Sequence, residues 1–146
     1  MPLIQKLFAL LLFTSGIFLP CGFCVAEEMI ISNTRGAIVA YIDNDGRIEN
    51  HSRITIGYID SSGRVEDAGR STLGYIEGDR VENSGRTTIG YIDSSGRVEN
   101  AGRMTIGYIT SGNVENASRS TVLTYSGLED IKKIGAYIFF FYRLLQ

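Results

Sequence analysis

Short runs of alternating apolar and polar residues recur along most of this chain, in a unit of about 17 residues written five times. Each unit carries one tyrosine at the same place: Tyr41, Tyr58, Tyr75, Tyr91 and Tyr108. Residues 57–73 and 90–106 differ at only three positions. Such self-similarity indicates a repeat architecture, because one unit is too small to bury an apolar face alone. The pattern predicts an all-β fold of five tandem β-hairpins.

Each unit divides into strand, turn, strand and turn. In the fourth unit, residues 88–92 form a β-branched and aromatic run and residues 97–99 a shorter one. Between them, Gly96 can adopt the left-handed conformation that closes a three-residue hairpin with a bulge. The third and fifth units are one residue shorter, which leaves Gly78-Asp79 and Ser111-Gly112 as two-residue turns. Residues 100–103 are predicted to join one hairpin to the next.

Three sets of apolar positions recur in register and are predicted to form the core. They are Ile42, Ile59, Ile76, Ile92 and Ile109; Ile48, Val65, Val81, Val98 and Val114; and Ile56, Leu73, Ile89 and Ile106. The glycine before the tyrosine, such as Gly57, lies mid-strand, where it predicts close backbone approach between neighbouring units. Ala40 stands at this place in the first unit and Thr124 in the segment after the repeats, as expected of atypical end units.

The C-terminal segment, residues 126–146, leaves the repeat. Ser126 and Glu129 match a capping box, which predicts that a helix starts at Ser126. The residues from Ile131 to Leu145 are apolar on nearly every side, which is typical of a buried helix, although their aromatic and β-branched content also suits a terminal strand. Three consecutive phenylalanines at 139–141 cannot all face one side. We therefore expect this segment to pack against the hairpins as a plug or lid.

Residues 1–26 have the layout of a secretory signal peptide. Lys6 precedes an apolar run over residues 7–19, and Cys24-Val25-Ala26 offers small residues before a cut at Glu27. The alternatives are an uncleaved membrane anchor, although the apolar run is shorter than the roughly 20 residues that a span needs, and a lipoprotein modified at Cys21 or Cys24. We expect a cleaved leader and an exported chain that is periplasmic, on the cell surface or secreted.

The chain expected after cleavage is mildly acidic and has no cysteine. Residues 27–146 carry 13 basic and 16 acidic residues, a net charge of −3 with His51 neutral. This balance gives no electrostatic reason to expect nucleic acid or an anionic membrane as a partner. The C-terminal apolar run is too short to span a bilayer, so no transmembrane span is expected in the mature chain. We expect one repeat domain over residues 27–125, followed by the apolar segment.

The repeat resembles a known family. Tandem Ile-Gly-Tyr-Ile…Gly-Arg-Val units at this period, after a signal peptide and before an aromatic tail, look like the bacterial β-flower proteins, and the resemblance covers residues 35 to about 141. It implies β-hairpin petals arranged around a pseudo-symmetry axis, and five tyrosine-bearing units fit the five-fold form. We therefore expect a closed pseudo-five-fold β-flower. The resemblance implies no activity and no functional residues.

Candidate catalytic chemistry is sparse. His51 is the one histidine and falls in a turn, where an exposed loop residue is favoured over a metal ligand. Residues 43–46 (Asp-Asn-Asp-Gly) are similar to part of a calcium loop, but the distal bidentate glutamate is missing, which favours a hairpin turn. No Ser/His/Asp set and no phosphate-binding glycine loop is credible. We expect no catalytic residue, no metal and no cofactor.

Two charged registers are the candidate ligand-binding residues. One is Glu49, Glu66, Glu82, Glu99 and Glu115, and the other is Arg53, Arg70, Arg86, Arg103 and Arg119. In a closed ring, each register becomes a circle of like residues on a rim. A structural interpretation is that they form surface ion pairs, each worth at most about 1 kcal/mol. A functional interpretation is a polyvalent rim, where five weak contacts add to useful avidity for a repetitive ligand.

These observations favour an exported non-catalytic structural or binding module of the cell envelope or extracellular space. Its partner could be an envelope glycan or another exported protein. The alternative is an extracellular glycan hydrolase that uses paired repeat carboxylates. That activity requires one carboxyl group with a raised pKa, whereas these carboxylates recur in near-identical surroundings beside turn glycines.

Overall fold

The computed structural model describes residues 27–142, which form a closed antiparallel β-barrel around a short helix. The predicted signal peptide and residues 143–146 lie outside the described residues. The strands are β1 (Glu28–Asn33), β2 (Ile38–Asp43), β3 (Arg47–Asn50), β4 (Thr55–Ile59), β5 (Arg64–Asp67), β6 (Thr72–Glu77), β7 (Arg80–Asn83), β8 (Thr88–Ile92), β9 (Arg97–Asn100), β10 (Thr105–Thr110), β11 (Asn113–Asn116) and β12 (Thr121–Gly127). Helix α1 (Ile131–Ala136) continues into a π-helical segment (Tyr137–Phe141).

Each strand pairs with its neighbours in chain order, and β1 pairs with β12 to close the ring. The five predicted hairpins are confirmed as β2–β3, β4–β5, β6–β7, β8–β9 and β10–β11. A further two-stranded unit, β1 with β12, is built from residues on either side of the repeats and completes the ring beside the five hairpins. Met29 and Ile31 of β1 and Leu123 of β12 are fully buried there and continue the core across the closure.

The predicted turn types inside the hairpins are also confirmed. In the fourth unit, the Gly96 N–H donates to the Asp93 carbonyl at 2.9 Å, and Gly96 has φ of 84°. This is the three-residue loop with a left-handed glycine. In the shortened units, Glu77 pairs directly with Arg80 and Thr110 with Asn113, which leaves two-residue turns.

The third predicted core set proves to be half-buried rather than fully buried. Wherever one hairpin meets the next, the register shifts by one residue: Val65 pairs with Gly74, but Glu66 pairs with Thr72. Leu73 is therefore the extra residue of a β-bulge, which bends the strand and leaves that residue without a partner. Ile56, Ile89 and Ile106 occupy the same position in their units. These four side chains pack against the edge of the core, whereas the other two sets are buried within it.

The tail forms a helix, but the predicted capping box is wrong. Ser126 belongs to β12, because it pairs with Ile30 of β1 and the strand continues to Gly127. Glu129 instead accepts a hydrogen bond from the Ser111 hydroxyl. Helix α1 begins at Ile131, and its N-cap is Asp130, whose side chain accepts hydrogen bonds from the backbone N–H groups of Lys132 and Lys133. Among residues 27–142, no helix combines the length and the apolar character that crossing a membrane demands.

The three phenylalanines face three different hairpins. The ring of Phe139 lies against Gly90, that of Phe140 against Gly74 and that of Phe141 against Gly57, so that a Cβ at any of these glycines would overlap a ring. The same Cβ would also overlap a carbonyl oxygen of the glycine's own partner strand. The predicted close approach therefore occurs within a hairpin and to the helix, not between neighbouring units. Burial from more than one direction is confirmed.

The register of the last strand corrects the predicted match of Thr124 to the repeat glycines. Val114 pairs with Leu123 as Val65 pairs with Gly74, so Leu123 stands at the glycine position and Thr124 at the tyrosine position. Leu123 is fully buried. Ala40 holds the position expected for it in the first unit.

Candidate functional site

The turns that join one hairpin to the next place arginine in an unusual backbone conformation. Arg53, Arg70, Arg86, Arg103 and Arg119 have φ between 62° and 68°. A residue with a Cβ pays roughly 1–2 kcal/mol in this left-handed region, and glycine usually fills it. Five such positions in one small domain indicate that the arginine side chain makes contacts that offset the strain.

Each of these turns is built in the same way. In the second unit, the Asp67 carboxylate accepts hydrogen bonds from the backbone N–H groups of Gly69 and Ser71, and the Arg70 N–H donates to the Asp67 carbonyl. The side-chain oxygens of Asn50, Asn83, Asn100 and Asn116 do the same in the other units. The short Asx side chain satisfies the turn and leaves the arginine side chain to lie back over the strands.

Each arginine lies over a tyrosine and binds a glutamate of its own unit. The guanidinium carbon of Arg70 is 3.5 Å from the centre of the Tyr58 ring, and its Nη1 donates to Glu66 Oε2 at 3.0 Å. Tyr58 and Glu66 are themselves cross-strand partners. The five equivalent sets, here called Tyr–Arg–Glu triads, are Tyr41/Arg53/Glu49, Tyr58/Arg70/Glu66, Tyr75/Arg86/Glu82, Tyr91/Arg103/Glu99 and Tyr108/Arg119/Glu115.

The triads lie on the outer wall of the barrel. Successive residues of a strand face opposite sides, and Ile59 and Val65, which flank Tyr58 and Glu66, point into the core. The glutamate and arginine registers therefore converge in one belt around the wall instead of forming two separate circles of like charge. In this belt each cation covers one face of an aromatic ring.

Four of the five glutamates are almost completely covered. Glu66 is bound on one oxygen by Arg70 and on the other by Arg64, at 3.0 and 3.2 Å. A second arginine forms the same ion pair in three other units: Arg47 with Glu49, Arg80 with Glu82 and Arg97 with Glu99. In the fifth unit Asn113 replaces this second arginine, and the side chain of Glu115 is 18% exposed compared with 7% for Glu66.

Two of the five triads hold an additional carboxylate from outside the register. Glu28 of β1 accepts from both Nη1 and Nη2 of Arg53, at 2.8 and 2.9 Å, and Glu77 accepts from Arg86 at 2.5 Å. These hydrogen bonds lower the pKa of the Glu28 and Glu77 carboxyl groups. Within residues 27–142, Arg70, Arg103 and Arg119 have no carboxylate partner besides the glutamate of their triad.

Two clefts open beside these features. One, of about 310 Å³, lies on the wall next to Arg70 and is lined by Tyr58, Ile59, Arg47, Asp43, Asp45 and Asp60. The other, of about 580 Å³, lies where α1 enters the barrel and is lined by charged side chains that include Asp45, Asp130 and Lys132. Lys133 at this entrance donates to the carbonyls of Asp43 and Asn44, which ties the helix to the turn.

The remaining candidates from the sequence lie in turns. His51 is exposed. In residues 43–46, the Asp43 carboxylate accepts from the Arg47 N–H as a turn cap. The described part of the chain contains no group of three or more His, Cys, Asp or Glu residues placed to hold a metal ion. Sequence reasoning found all five glutamates and arginines of the belt, but missed Glu28 and Glu77 as partners for two of the arginines.

Comparisons with known proteins agree with this architecture. No curated protein and no solved structure matches the chain. A family model described as "5-fold beta-flower protein" matches residues 26–143, which is most of the chain. Together with the closed ring of hairpins, this match shows that the chain belongs to the 5-fold beta-flower family.

Proposed function

We propose that this protein is an exported, non-catalytic module of the cell envelope or extracellular space, and that it binds an envelope glycan or another exported protein through the belt of triads. The observation that carries this proposal is the strained arginine repeated in all five units. Strained residues persist where the surrounding structure holds them, and they often occur at ligand-binding positions. The half-exposed guanidinium groups are held rigid before any ligand arrives, which reduces the entropy lost on binding.

A glycan hydrolase is the second candidate, and the carboxyl groups argue against it. A glycosidase acid needs a pKa raised towards neutrality by an apolar pocket. Every carboxyl group with a clear pKa change among residues 27–142 is shifted downwards, by hydrogen bonds from arginine, serine or backbone N–H groups: Glu28, Asp60, Glu77 and Asp93. The buried glutamates of the belt are bound to arginine and therefore do not lie in the apolar pocket that a glycosidase acid needs.

Export is the part of the proposal that depends on residues 1–26. If the leader is cleaved as proposed, the protein isolated from outside the cytoplasm begins at Glu27. N-terminal sequencing tests this directly. An intact Met1 on the exported protein would indicate an anchor, and lipid labelling that is lost in Cys21→Ser or Cys24→Ser would indicate a lipoprotein.

Binding and hydrolysis are separated by one experiment on the protein beginning at Glu27. The purified protein is applied to a glycan array and to isolated cell walls, and soluble reducing ends are measured in parallel. Specific retention without new reducing ends supports the binding module. Release of reducing ends would establish the hydrolase, and neither retention nor release would leave a purely structural role.

A further inference from the structure

The five triads are alike in geometry but differ in what meets the outer edge of the guanidinium group. The distance from guanidinium carbon to ring centre lies between 3.3 and 3.5 Å in all five. Arg53 and Arg86 each hold a second carboxylate supplied by the chain itself. Arg70, Arg103 and Arg119 do not, and their side chains are 58–62% exposed compared with 50% for the other two.

The pair of Glu28 and Arg53 shows what the open positions can bind. Glu28 meets two guanidinium nitrogens at once, which is the two-point geometry that makes arginine selective for carboxylates. It belongs to β1, outside the repeated unit, so its position on the belt is not required by the triad. The distance from guanidinium carbon to ring centre is nearly the same in all five triads. Arg70, Arg103 and Arg119 therefore present to a carboxylate from another molecule the same guanidinium edge that Arg53 presents to Glu28.

The surroundings of Arg70 restrict the kind of carboxylate that fits. The adjoining cleft of about 310 Å³ also contains the acidic side chains of Asp43, Asp45 and Asp60. A chain with an anionic group on every unit and no other polar groups would be repelled by these three carboxylates. A ligand that carries one carboxylate and several hydroxyl groups would instead donate hydrogen bonds to them. The cleft is at the lower limit of small-molecule sites, which suits one sugar residue.

We propose that Arg70, Arg103 and Arg119 bind the carboxylates of a polysaccharide that contains uronic acid. The proposal rests on the binding role put forward above and names the ligand class of that same belt. Each site contributes one carboxylate contact. Arg103 and Arg119 belong to neighbouring units, so a polymer whose carboxylates match their spacing would contact both, and the linked contacts would raise its affinity well above that of a single sugar.

The test compares matched variants against polygalacturonate oligomers by isothermal titration calorimetry at low salt. The triple variant Arg70→Gly, Arg103→Gly, Arg119→Gly removes the proposed sites and puts glycine in the left-handed position, as Gly36 already does in the equivalent turn after β1. The control Arg53→Gly, Arg86→Gly alters the same positions in the two occupied triads. We expect the triple variant to lose at least about a hundredfold in affinity, since avidity effects of 10²–10⁴ are common. The comparison variant should lose far less, because its two arginines are already bound by Glu28 and Glu77.

A second variant tests the proposal by gain of binding. Glu28→Gln with Glu77→Gln removes the internal carboxylates and should add two sites, so that the number of sugar residues bound per protein rises. Circular dichroism and melting of every variant establish that the barrel is intact, and a triple variant that does not fold leaves this gain-of-binding arm to decide.

The outcomes that overturn the inference are distinct from failure of the binding role itself. Equal binding of methyl-esterified polygalacturonate would show that the carboxylate is not recognised. Tighter binding of poly-glutamate than of polygalacturonate would assign the belt to an acidic protein partner. Retention on cell walls that is unchanged in the triple variant would keep the binding module but place its site elsewhere.

Discussion

The two ends of the barrel use one turn geometry with different residues at its left-handed position. At the end where α1 enters, the three-residue loops carry Gly46, Gly63 and Gly96 there, with φ between 84° and 87°. At the opposite end, five of the turns carry arginine and the turn after β1 carries Gly36. Both types of turn are capped by the side chain of an Asp or Asn that lies three residues before the left-handed residue. Comparing the two ends therefore shows why some left-handed positions are glycine and others are arginine.

At the end of the barrel where α1 enters, lack of space for a side chain explains why the left-handed position is glycine. The Gly63 carbonyl accepts a hydrogen bond from the Ile76 N–H at 2.8 Å, which joins this turn to the next hairpin. A Cβ on Gly63 would overlap the Ile76 carbonyl oxygen. At the opposite end, a Cβ on Gly36 would meet nothing within 4 Å. Strain is therefore tolerated where the side chain has room, and it persists where that side chain has a partner to bind.

Replacing a left-handed glycine by alanine at each end of the barrel should give the largest difference in the free energy of unfolding. Gly63→Ala meets both the left-handed strain and the Ile76 carbonyl, so we expect it to lower the free energy of unfolding by about 3 kcal/mol or more. Gly36→Ala meets the strain alone and should cost about 1 kcal/mol. Urea unfolding of the two variants measures the difference. Equal losses would show that the hairpin-to-hairpin contact at Gly63 plays no part.

Neutralising the glutamates of the belt should have the next largest effect. Glu66→Gln removes the charge from a buried group held by two arginines, and we expect a loss of about 2 kcal/mol. Glu115→Gln, in the unit that has one arginine and a more exposed glutamate, should cost less than about 1 kcal/mol. Thermal unfolding of both variants provides the comparison. If Glu115→Gln were the more damaging change, coverage by the second arginine would not be what stabilises the belt.

The effect of an arginine on stability can be separated into the cost of its backbone strain and the gain from its side-chain contacts. Arg103→Ala keeps the left-handed strain but loses the stacking on Tyr91 and the ion pair with Glu99, so we expect its melting temperature to be lower than that of the wild type. Arg103→Gly loses the same contacts and relieves the strain, which should restore about 1 kcal/mol relative to alanine. The order of the two melting temperatures is the measurement. A glycine variant less stable than the alanine variant would show that the strain is negligible.

The smallest expected effect is a difference in acid sensitivity between the two ends. A hydrogen bond from the Ser62 hydroxyl lowers the pKa of the Asp60 carboxyl group, and hydrogen bonds from backbone N–H groups lower it further. Ser95 has the same effect on the pKa of Asp93. A lowered pKa contributes stability that is complete above the ordinary value of 3.8 and is lost as the pH falls below it. NMR titration should show the amides of the Gly63 and Gly96 turns responding in this range, while turns capped by asparagine, such as that of Asn100, stay constant.

The matched control is Asp60→Asn with Asp93→Asn, because asparagine caps four of the five arginine turns and cannot be protonated in this range. The acid response of the Gly63 and Gly96 turns should disappear in this variant. A response that persists would have to come from another carboxyl group.

The sequence predicted the hairpins because their turns obey rules that are local in the chain. The glycine of residues 93–96 and the deletions at Gly78-Asp79 and Ser111-Gly112 gave the loop types directly. The left-handed arginines were not predicted, because an L-residue is disfavoured there and only tertiary contacts offset the cost. A signal was present, since residues 33–36 align with residues 50–53 and place Gly36 opposite Arg53.

Other features depended on partners distant in sequence. Ser126 and Glu129 had the composition of a helix cap, but pairing with β1 holds Ser126 in a strand. The match of Thr124 to the repeat glycines followed the position of Tyr125, whereas the register is set by Val114 and Leu123. Glu28 reaches Arg53 because β1 pairs with β2, and the two residues are 25 apart in the sequence, so no local pattern indicated this contact.

The contact of Phe139, Phe140 and Phe141 with three successive hairpins has a consequence for how this gene can evolve. Open repeat arrays can lengthen by duplication, because each unit touches only its neighbours. In a closed barrel the diameter grows with the number of strands, so one duplicated unit would widen the interior around a helix of unchanged width. The rings would then no longer reach Gly90, Gly74 and Gly57 together. A single helix thus sets the copy number of the repeat, and selection should remove duplications even when every unit is perfect.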